Sequence, residues 1–526
     1  MKSCFSFFLI LLSTTTIRIS AQEIVYADVI KSDIERMNFE ILGKSADNYL
    51  VYKEVNNKHK VSVYDYNMKL VEEVPVRNLP KRDELLDIAF YSNSQHKFLL
   101  YQYQLGDIVY LKAVSIEDNG KIMADPVVLD TTMIAYKTQN KIYNSVFSND
   151  QSKLLVFKIN KKDKSLYRIS TKLFNESLEQ VGETEFSLPM KPREDNLSGY
   201  SITNNGDFAF IKYNRLQSGN IVEASLIENL EKGSDYSTQS LNIDNIYLDD
   251  LKLMIDDMHG RYLLSSLYST QKRGDIDGLY VSAFDIGTRQ VVFENTTVFD
   301  NDLKKRAKGK SNIKNAFDNF FINNIIVKNN GDFTVSAEAM YSSGNWDRWG
   351  MWGSPFWGSG LGYWGGWGPG WGWGWGGYWS PYSYWSPFFY RSYWWGGWGP
   401  GWYGGGNYQQ FNAGNIAILS FNNKGEKMWD NVIMKSQSEN NTDGSISYQV
   451  FMDGDEMHYF INNSGKISEL ENIIIKSDGS TLKSQSVLAH SKRLDFMPRY
   501  GKQTGKTEMI IPYYYKNNIS FAKVKW

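Results

Sequence analysis

The chain has 526 residues, a formal net charge of −1, one cysteine and 17 tryptophans. Its length is sufficient for several domains or for one large repeat architecture. The near-neutral charge argues against a nucleic-acid-binding protein, because such proteins carry many cations that neutralise phosphates. The tryptophans are concentrated in one segment, since fifteen of them lie between Trp346 and Trp402.

Residues 1–21 have the features of a secretory signal peptide. Lys2 supplies a positive start, residues 5–12 are apolar, and two small residues end the segment. The apolar run is too short to span a bilayer. We therefore predict export to the periplasm, the outer membrane or the extracellular space. Cys4 lies within this segment, so we predict a mature chain without disulfides or thiolate metal sites.

Short strand-like runs, separated by Asn, Asp, Gly, Lys and Ser, fill most of the remaining chain. Residues 39–76 contain four such runs joined by hairpin-like turns. The pattern recurs to the C-terminus, and four antiparallel strands in roughly 40 to 50 residues are the blade of a β-propeller. An eighth unit, beginning at residue 494, lacks a fourth strand, which residues 23–29 are predicted to supply. The sequence thus predicts an all-β fold: a β-propeller of seven or eight blades, closed by the N-terminal strand.

Two other architectures stay open at this stage, a β-sandwich array and a pair of smaller propellers. The C-terminal residue Trp526, with Val524 and Ala522 alternating before it, is also typical of outer-membrane proteins. An outer-membrane-associated structural protein is therefore an alternative. In a propeller, we expect Trp526 to pack in the last blade.

Residues 342–414 form a Gly/Trp/Tyr-rich low-complexity insertion between two propeller segments, residues 22–341 and 415–526. Between Trp349 and Gly414 the only charged residue is Arg391. Glycine and proline oppose regular structure, whereas Trp and Tyr favour burial away from water. The insertion separates the second and third strands of the sixth unit, so we predict that it is an enlarged hairpin loop.

A basic segment precedes the sixth unit, in residues 303–321. In a four-stranded blade, the loop between the second and third strands emerges on the same face as the crossover between blades. We therefore predict that the basic segment and the insertion are neighbours. Two interpretations of the basic segment are open: a solvated helix or loop, and a contact for an anionic partner such as a lipid headgroup or an acidic polysaccharide.

Three interpretations of the insertion are open. It is a binding or adhesive surface whose aromatic faces stack on sugars or contact a membrane peripherally, a lid collapsed on the propeller, or low-complexity sequence without a ligand. A large apolar surface normally marks an interaction site, which favours the first interpretation. The candidate binding surface consists of Trp364, Trp367, Trp371, Trp373, Trp375, Trp379, Trp385, Trp394, Trp395, Trp398, Lys304, Lys305 and Arg306.

The sequence offers no recognisable catalytic motif. Its histidines are dispersed over five different units, and HExxH, GxSxG and Walker-type patterns are absent. The acidic turns at residues 275–278 and 453–456 offer oxygen ligands, but neither completes a calcium-binding loop, and Asp-Gly is first of all a hairpin turn. We predict no catalytic residues, no metal site and no cofactor, with calcium as the one candidate ion.

Three stretches around the insertion carry a resemblance to a known group. They read LKKRAKGKSNI from residue 303, INNIIVKNNGDFTVSAE from residue 322 and NIAILSFNNKGEKMWD from residue 415. This pattern resembles uncharacterised secreted proteins of Bacteroidota-type bacteria over roughly residues 300–526. The resemblance implies a propeller-like repeat fold and an envelope location, and it brings no established activity and no site residues.

The sequence therefore predicts an exported, non-catalytic binding or adhesion module. We expect its partner to be a glycan, an envelope component or another protein, and not a nucleic acid. The alternative functions are a propeller enzyme acting on carbohydrate or peptide, and the outer-membrane-associated structural protein.

Overall fold

The protein is described by a computed structural model. The description covers all of the chain except residues 1–22, 32–36, 78, 93–95, 124, 136, 139–140, 162–164, 193, 216–218, 231–234, 250, 310–314, 343–409, 441–443, 466, 484–485 and 492. The described residues contain 36 β-strands, the short helix α1 (Asn301–Lys308) and one 3₁₀ turn (Pro498–Tyr500). None of these helices is long enough or apolar enough to cross a membrane.

The strands form eight consecutive antiparallel units, which we number 1 to 8. Unit 1 contains β2 (Asn38–Ser45), β3 (Asn48–Val55), β4 (Lys58–Tyr64) and β5 (Leu70–Pro75), and unit 2 contains β6 (Leu85–Ser92), β7 (Lys97–Leu105), β8 (Ile108–Ile116) and β9 (Val127–Met133). Unit 3 contains β10 (Asn144–Phe147), β11 (Leu154–Asn160), β12 (Leu166–Phe174) and β13 (Gln180–Pro189). Unit 4 contains β14 (Asp195–Ile202), β15 (Phe208–Arg215), β16 (Ile221–Asn229) and β17 (Tyr236–Ser240).

Units 4 and 5 are joined into one sheet by β18 (Tyr247–Leu248), which pairs with a strand of each. Unit 5 contains β19 (Lys252–Asp256), β20 (Arg261–Ser269), β21 (Gly278–Asp285) and β22 (Val291–Val298). Unit 6 contains β23 (Phe320–Val327), β24 (Phe333–Ser342), β25 (Gln410–Phe421), β26 (Lys427–Ile433) and β27 (Gln437–Asn440). Unit 7 contains β28 (Tyr448–Asp453), β29 (Glu456–Asn463), β30 (Glu469–Ile475), β31 (Thr481–Lys483) and β32 (Val487–Leu488).

Unit 8 combines the two ends of the chain. Its C-terminal strands are β33 (Leu494–Phe496), β34 (Lys502–Gly505), β35 (Glu508–Tyr515) and β36 (Asn518–Lys525). The N-terminal strand β1 (Glu23–Tyr26) pairs antiparallel with β36, and Glu23 lies opposite Lys525. The five-stranded sheet has the order β33-β35-β36-β1, with β34 also paired to β35. The N-terminal strand thus pairs with the last strand of the chain, as the sequence predicted.

The hydrophobic core consists of layers between successive units. Many strands are buried on both faces, which suits their β-branched and aromatic residues; in β20 all nine residues are buried. Clusters of apolar side chains join each unit to the next one along the chain, from unit 1 to unit 8. One further cluster joins the last unit to the first, since Ile510 and Phe521 pack with Ile41 and Val51.

Two glycine turns show how closely successive units approach. Gly425 and Gly479 occupy equivalent turns of units 6 and 7, with φ angles of +76° and +83°. A β-carbon on Gly425 would lie 2.4 Å from Phe293 of unit 5, and one on Gly479 would lie 2.6 Å from Trp429 of unit 6. Each turn therefore uses glycine both for its backbone conformation and for its contact with an aromatic ring.

The structure differs from the sequence-based expectation in several places. β25 begins at Gln410 and β24 ends at Ser342, so both strands reach into the segment 342–414 that was predicted as the insertion. The outer strands β13 and β17 were not predicted, because their polar alternation lacks an apolar run. Trp526 packs mainly on the neighbouring unit 7, where its ring lies 5.0 Å from that of Phe460.

Candidate functional site

The described part of the candidate surface begins with helix α1. Asp300 caps its N-terminus by accepting a hydrogen bond of 2.8 Å from the backbone of Leu303. Leu303 and Ala307 are buried and anchor the helix in the core between units 5 and 6. Lys305 on the opposite side is exposed, and Lys304 is half-buried. The basic segment is therefore a helix with a fixed orientation.

Arg306 forms ion pairs that hold the helix to unit 6. Its guanidinium donates to Asp302, at 2.7 Å, and to Asp430 in β26, at 2.5 Å. Burial alone would raise the pKa of Asp430, but hydrogen bonds from Lys427 and Arg306 lower it below its ordinary value. The charge of Arg306 is thus compensated within the protein. Lys304 and Lys305 make no ion pair with any other described residue.

The two strands that flank the insertion, β24 and β25, continue their pairing close to the insertion. We call this part, residues 340–342 and 410–413, the stem. Tyr341 lies opposite Asn412, and Ser342 lies opposite Phe411. The strand β27 pairs with the other edge of this extension, so that Phe411 also lies opposite Glu439. The residues that flank 343–409 on both sides therefore belong to a three-stranded arrangement of β24, β25 and β27.

A small hydrophobic cluster packs around the stem. It contains Phe321, Met340, Phe411, Ala413 and Ile446, all of which are at most 3 % exposed. These side chains come from units 6 and 7, so the stem is packed against both. The stem is fixed by apolar burial as well as by backbone hydrogen bonds.

A buried ion pair lies close to this cluster along β24, since Glu338 precedes Met340 by two residues. Glu338 of β24 is 2.6 Å from Lys435, and the carboxylate also accepts hydrogen bonds from Asn323 and Ser447, at 2.9 and 2.6 Å. Burial lowers the pKa of Lys435, and the charge of Glu338 opposes that effect. Since a buried ion pair adds little net stability, we infer that this one mainly fixes the register at which β24 meets the segment after β26.

Asn415 links the helix to the stem. Its side-chain amide donates to the carbonyl of Ala307, at 2.9 Å, and its side-chain oxygen accepts from the backbone of Lys435, at 3.0 Å. A β-carbon on Gly309, which ends the helix, would lie 2.7 Å from the same amide nitrogen. The basic helix therefore lies against β25, the strand that follows the insertion. The predicted contact between the basic segment and the insertion itself falls outside the described residues. The tryptophans of the candidate surface lie outside the described residues.

Neither the stem nor the polar groups near it were predicted from the sequence. β27 is wholly polar, and Asn415 looks like an ordinary loop residue before an apolar run. Glu338 is the exception, because it is the one charged residue in the strand-like run FTVSAEAMYS and lies between two alanines, which is a signal that a buried partner exists.

The remaining sequence candidates lie in separate places. Residues 453–456 form a two-residue hairpin turn between β28 and β29, which confirms the turn interpretation. Asp277 accepts hydrogen bonds from the backbone and hydroxyl of Thr270, at 2.7 and 2.6 Å. His458 is buried beside Trp526, and desolvation lowers its pKa to about 4. Among the described residues, no three His, Asp or Glu side chains are grouped as metal ligands.

A second polar cluster lies at the other end of the units, where turns of units 3, 4 and 5 meet. The carboxylate of Asp257 accepts a hydrogen bond of 2.6 Å from Asn149 and one of 2.8 Å from the backbone of Asn204. Desolvation raises the pKa of Asp257 to about 6, and the charges of Asp150 and Asp256 act in the same direction. One carboxylate therefore connects three units.

No protein-family model matches the chain, and no curated protein matches it in sequence. Among solved structures, the chain is similar to the WD40 domain of SCAP from fission yeast, with 10 % identity over 96 % of this chain and 97 % of that one, and a TM-score of 0.39. It is also similar to an ulvan lyase of polysaccharide lyase family PL25, with 10 % identity, coverage of 83 % and 92 %, and a TM-score of 0.37.

A prolyl endopeptidase is a further similar structure, with 7 % identity and a TM-score of 0.40. The alignment covers 92 % of this chain and 56 % of the endopeptidase, so the chain spans about half the length of that enzyme. Similarities of this size do not assign the chain to a family.

Proposed function

We propose that the eight units form one β-propeller of eight blades, closed by β1. Two contacts support this proposal. The N-terminal strand pairs with the last C-terminal strand, and Ile510 and Phe521 of unit 8 pack with Ile41 and Val51 of unit 1. Such closure removes the open sheet edge that a linear array would leave at each end.

We further propose that the protein is an exported binding module and that residues 343–409, together with helix α1, form its contact surface. The stem is the observation that carries this proposal. Unit 6 extends two strands and adds β27 to hold the ends of the insertion in register. A buried ion pair and a hydrophobic cluster brace that extension. A stem that is stabilised in this way suits an insertion that is held at a fixed place beside the basic helix.

The partner that fits the composition best is a glycan of the cell envelope. The insertion supplies many Trp and Tyr rings, which combine a large apolar face with a polar edge. The exposed ammonium group of Lys305 adds a cation beside them, which suits an acidic polysaccharide. An envelope protein is the other partner class that the same surface would accept.

The test is a deletion that leaves the stem intact. Because Ser342 lies opposite Phe411, residues 343–410 can be replaced by Asn-Gly, a sequence suited to a two-residue hairpin turn. We expect this variant to fold with an unchanged melting temperature and to lose binding to purified envelope polysaccharide. A matched control, Lys304→Ala with Lys305→Ala in the full chain, should weaken binding only to acidic polysaccharides. Full binding by the folded deletion variant would refute the proposed surface.

A further inference from the structure

A polar joint connects units 2 and 3 near the start of their first strands. Gln102 of β7 forms three hydrogen bonds with the backbone before β10: its amide donates to the carbonyl of Tyr143, at 2.8 Å, and its oxygen accepts from the backbone amides of Tyr143 and Ile142, at 2.9 and 3.2 Å. Gln104 accepts from the backbone of Thr138, at 2.7 Å. The crossover between the two units is therefore fixed by side chains of unit 2.

The same joint contains a buried ion pair. Lys141 of the crossover lies 3.2 Å from one carboxylate oxygen of Asp87, and both side chains are almost wholly buried. Burial raises the pKa of Asp87, while Lys141 and the backbone of Ile88 lower it. No described residue donates a hydrogen bond to the second carboxylate oxygen, Oδ1.

A small cavity lies among these groups. Its polar lining consists of Asp87, Gln102, Lys141, Asn144, Ser145 and Tyr143, apolar side chains that include Ala89 complete the wall, and its volume is about 10 Å³. This is close to the room that one water molecule needs, roughly 10–15 Å³. The side-chain oxygen of Asn144, a residue that is 5 % exposed, likewise has no donor within the described part of the chain.

Two buried acceptors that face one cavity call for a species with two donors. We propose that the cavity binds one ordered water molecule, which donates to Asp87 Oδ1 and to Asn144 Oδ1. Water fits because it has two O–H donors and can accept a hydrogen bond from Lys141, which lines the same space. A metal cation is disfavoured by the ammonium group of Lys141. The water would complete the contact between units 2 and 3, because Asp87 and Asn144 belong to different units.

A crystal structure at a resolution that shows ordered solvent tests this site directly. We expect a solvent peak within hydrogen-bond distance of both oxygens. A cavity without a peak, or the two oxygens turned towards protein donors, would overturn the proposal.

A pair of nearly isosteric variants tests the same site by stability. Ala89 lines the cavity, so Ala89→Val and Ala89→Thr would each fill it, but only threonine brings a hydroxyl donor for the acceptors. We expect the threonine variant to melt higher than the valine variant by about 2 °C or more. Exchange of the exposed Val127 for threonine is the control, and it should change the melting temperature little. Equal melting temperatures for the two Ala89 variants would contradict the inference.

Discussion

Tyr49 of the first unit donates a buried hydrogen bond of 2.6 Å to Glu508 of the last unit, 459 residues further along the chain. Both residues are almost wholly buried, and the carboxylate also accepts from Thr504, at 3.0 Å. Burial and the neighbouring carboxylate raise the pKa of Tyr49, so its hydroxyl remains a donor at all physiological pH values. The contact joins the two ends of the repeat array at the core.

We predict that Tyr49→Phe destabilises the whole protein and not only its terminal strands. The substitution removes one donor from a buried carboxylate, which costs about 1–3 kcal/mol. Urea unfolding followed by tryptophan fluorescence and by circular dichroism should give one shifted transition by both probes. Val71→Ala, at an exposed position of the same unit, is the control. Two separate transitions would mean that units 1 and 8 unfold independently and would contradict the closed ring.

The Tyr49–Glu508 contact illustrates what the sequence predicts well and what it does not. The apolar runs of inner strands such as β3 and β35 identify the repeat, because each strand is buried on both faces. The spare run at residues 23–29 likewise predicted the partner of β36. The polar partners across units are invisible in the sequence, since Tyr49 and Glu508 occupy unremarkable positions and only the folded chain brings them together.

The same reasoning explains the errors at the edges of the units. β13 and β17 face solvent along much of their length, so their sequences need few apolar residues and do not read as strands. The predicted end of the insertion, at residue 414, differs from the observed start of β25 for a related reason. Composition changes at about residue 414, but backbone pairing with β27 continues the strand to Gln410. The register of a sheet is set by its neighbours as well as by local composition.

We predict that Gly425→Ala is much more damaging than Gly454→Ala. Both glycines have a positive φ, so alanine costs about 1–2 kcal/mol at either site. At Gly425 the new β-carbon also meets the ring of Phe293, whereas nothing lies within 4 Å at Gly454. Overpacking adds about 1–3 kcal/mol at Gly425 alone. Thermal unfolding of the two variants measures the difference, and equal losses would show that units 5 and 6 do not pack as described.

We predict a pH dependence of stability that belongs to Asp257. Its pKa is raised by burial from 3.8 to about 6, so between these values the folded state binds more protons than the unfolded state. The free energy of unfolding is therefore higher below this window and falls as the pH rises through it, by about 1–3 kcal/mol. The groups around it are Asp150 and Asp256, and Asp256 in turn pairs with His259 and Arg261.

The measurement for Asp257 is a comparison with Asp257→Asn between pH 4 and pH 7. Groups remote from Asp257 titrate equally in both proteins, so the difference between the two stability curves isolates this carboxyl group together with its coupling to Asp150 and Asp256. We expect the wild type to lose stability relative to the variant as the pH rises. Parallel curves would show that the carboxyl group is solvated and does not connect units 3, 4 and 5 as a buried acceptor.

We predict that the Glu338–Lys435 pair fixes the stem more than it stabilises the protein. Removing one partner leaves a buried charge, so Glu338→Gln and Lys435→Met should each cost about 3–5 kcal/mol. Combining Glu338→Gln with Lys435→Met should recover most of that loss, because no buried charge remains and the glutamine oxygen can still accept from Asn323 and Ser447. A double-mutant cycle by urea unfolding measures the coupling between the two residues.

The double variant also separates stability from register. If the pair specifies how β24 meets the segment after β26, the stable double variant should lose protection of the backbone amides of residues 410–413 in hydrogen exchange, while the rest of unit 6 remains protected. We then expect weaker binding of envelope polysaccharide without a lower melting temperature, because the insertion is no longer held in one place. Unchanged protection in the double variant would show that the hydrophobic cluster around Phe411 sets the register alone.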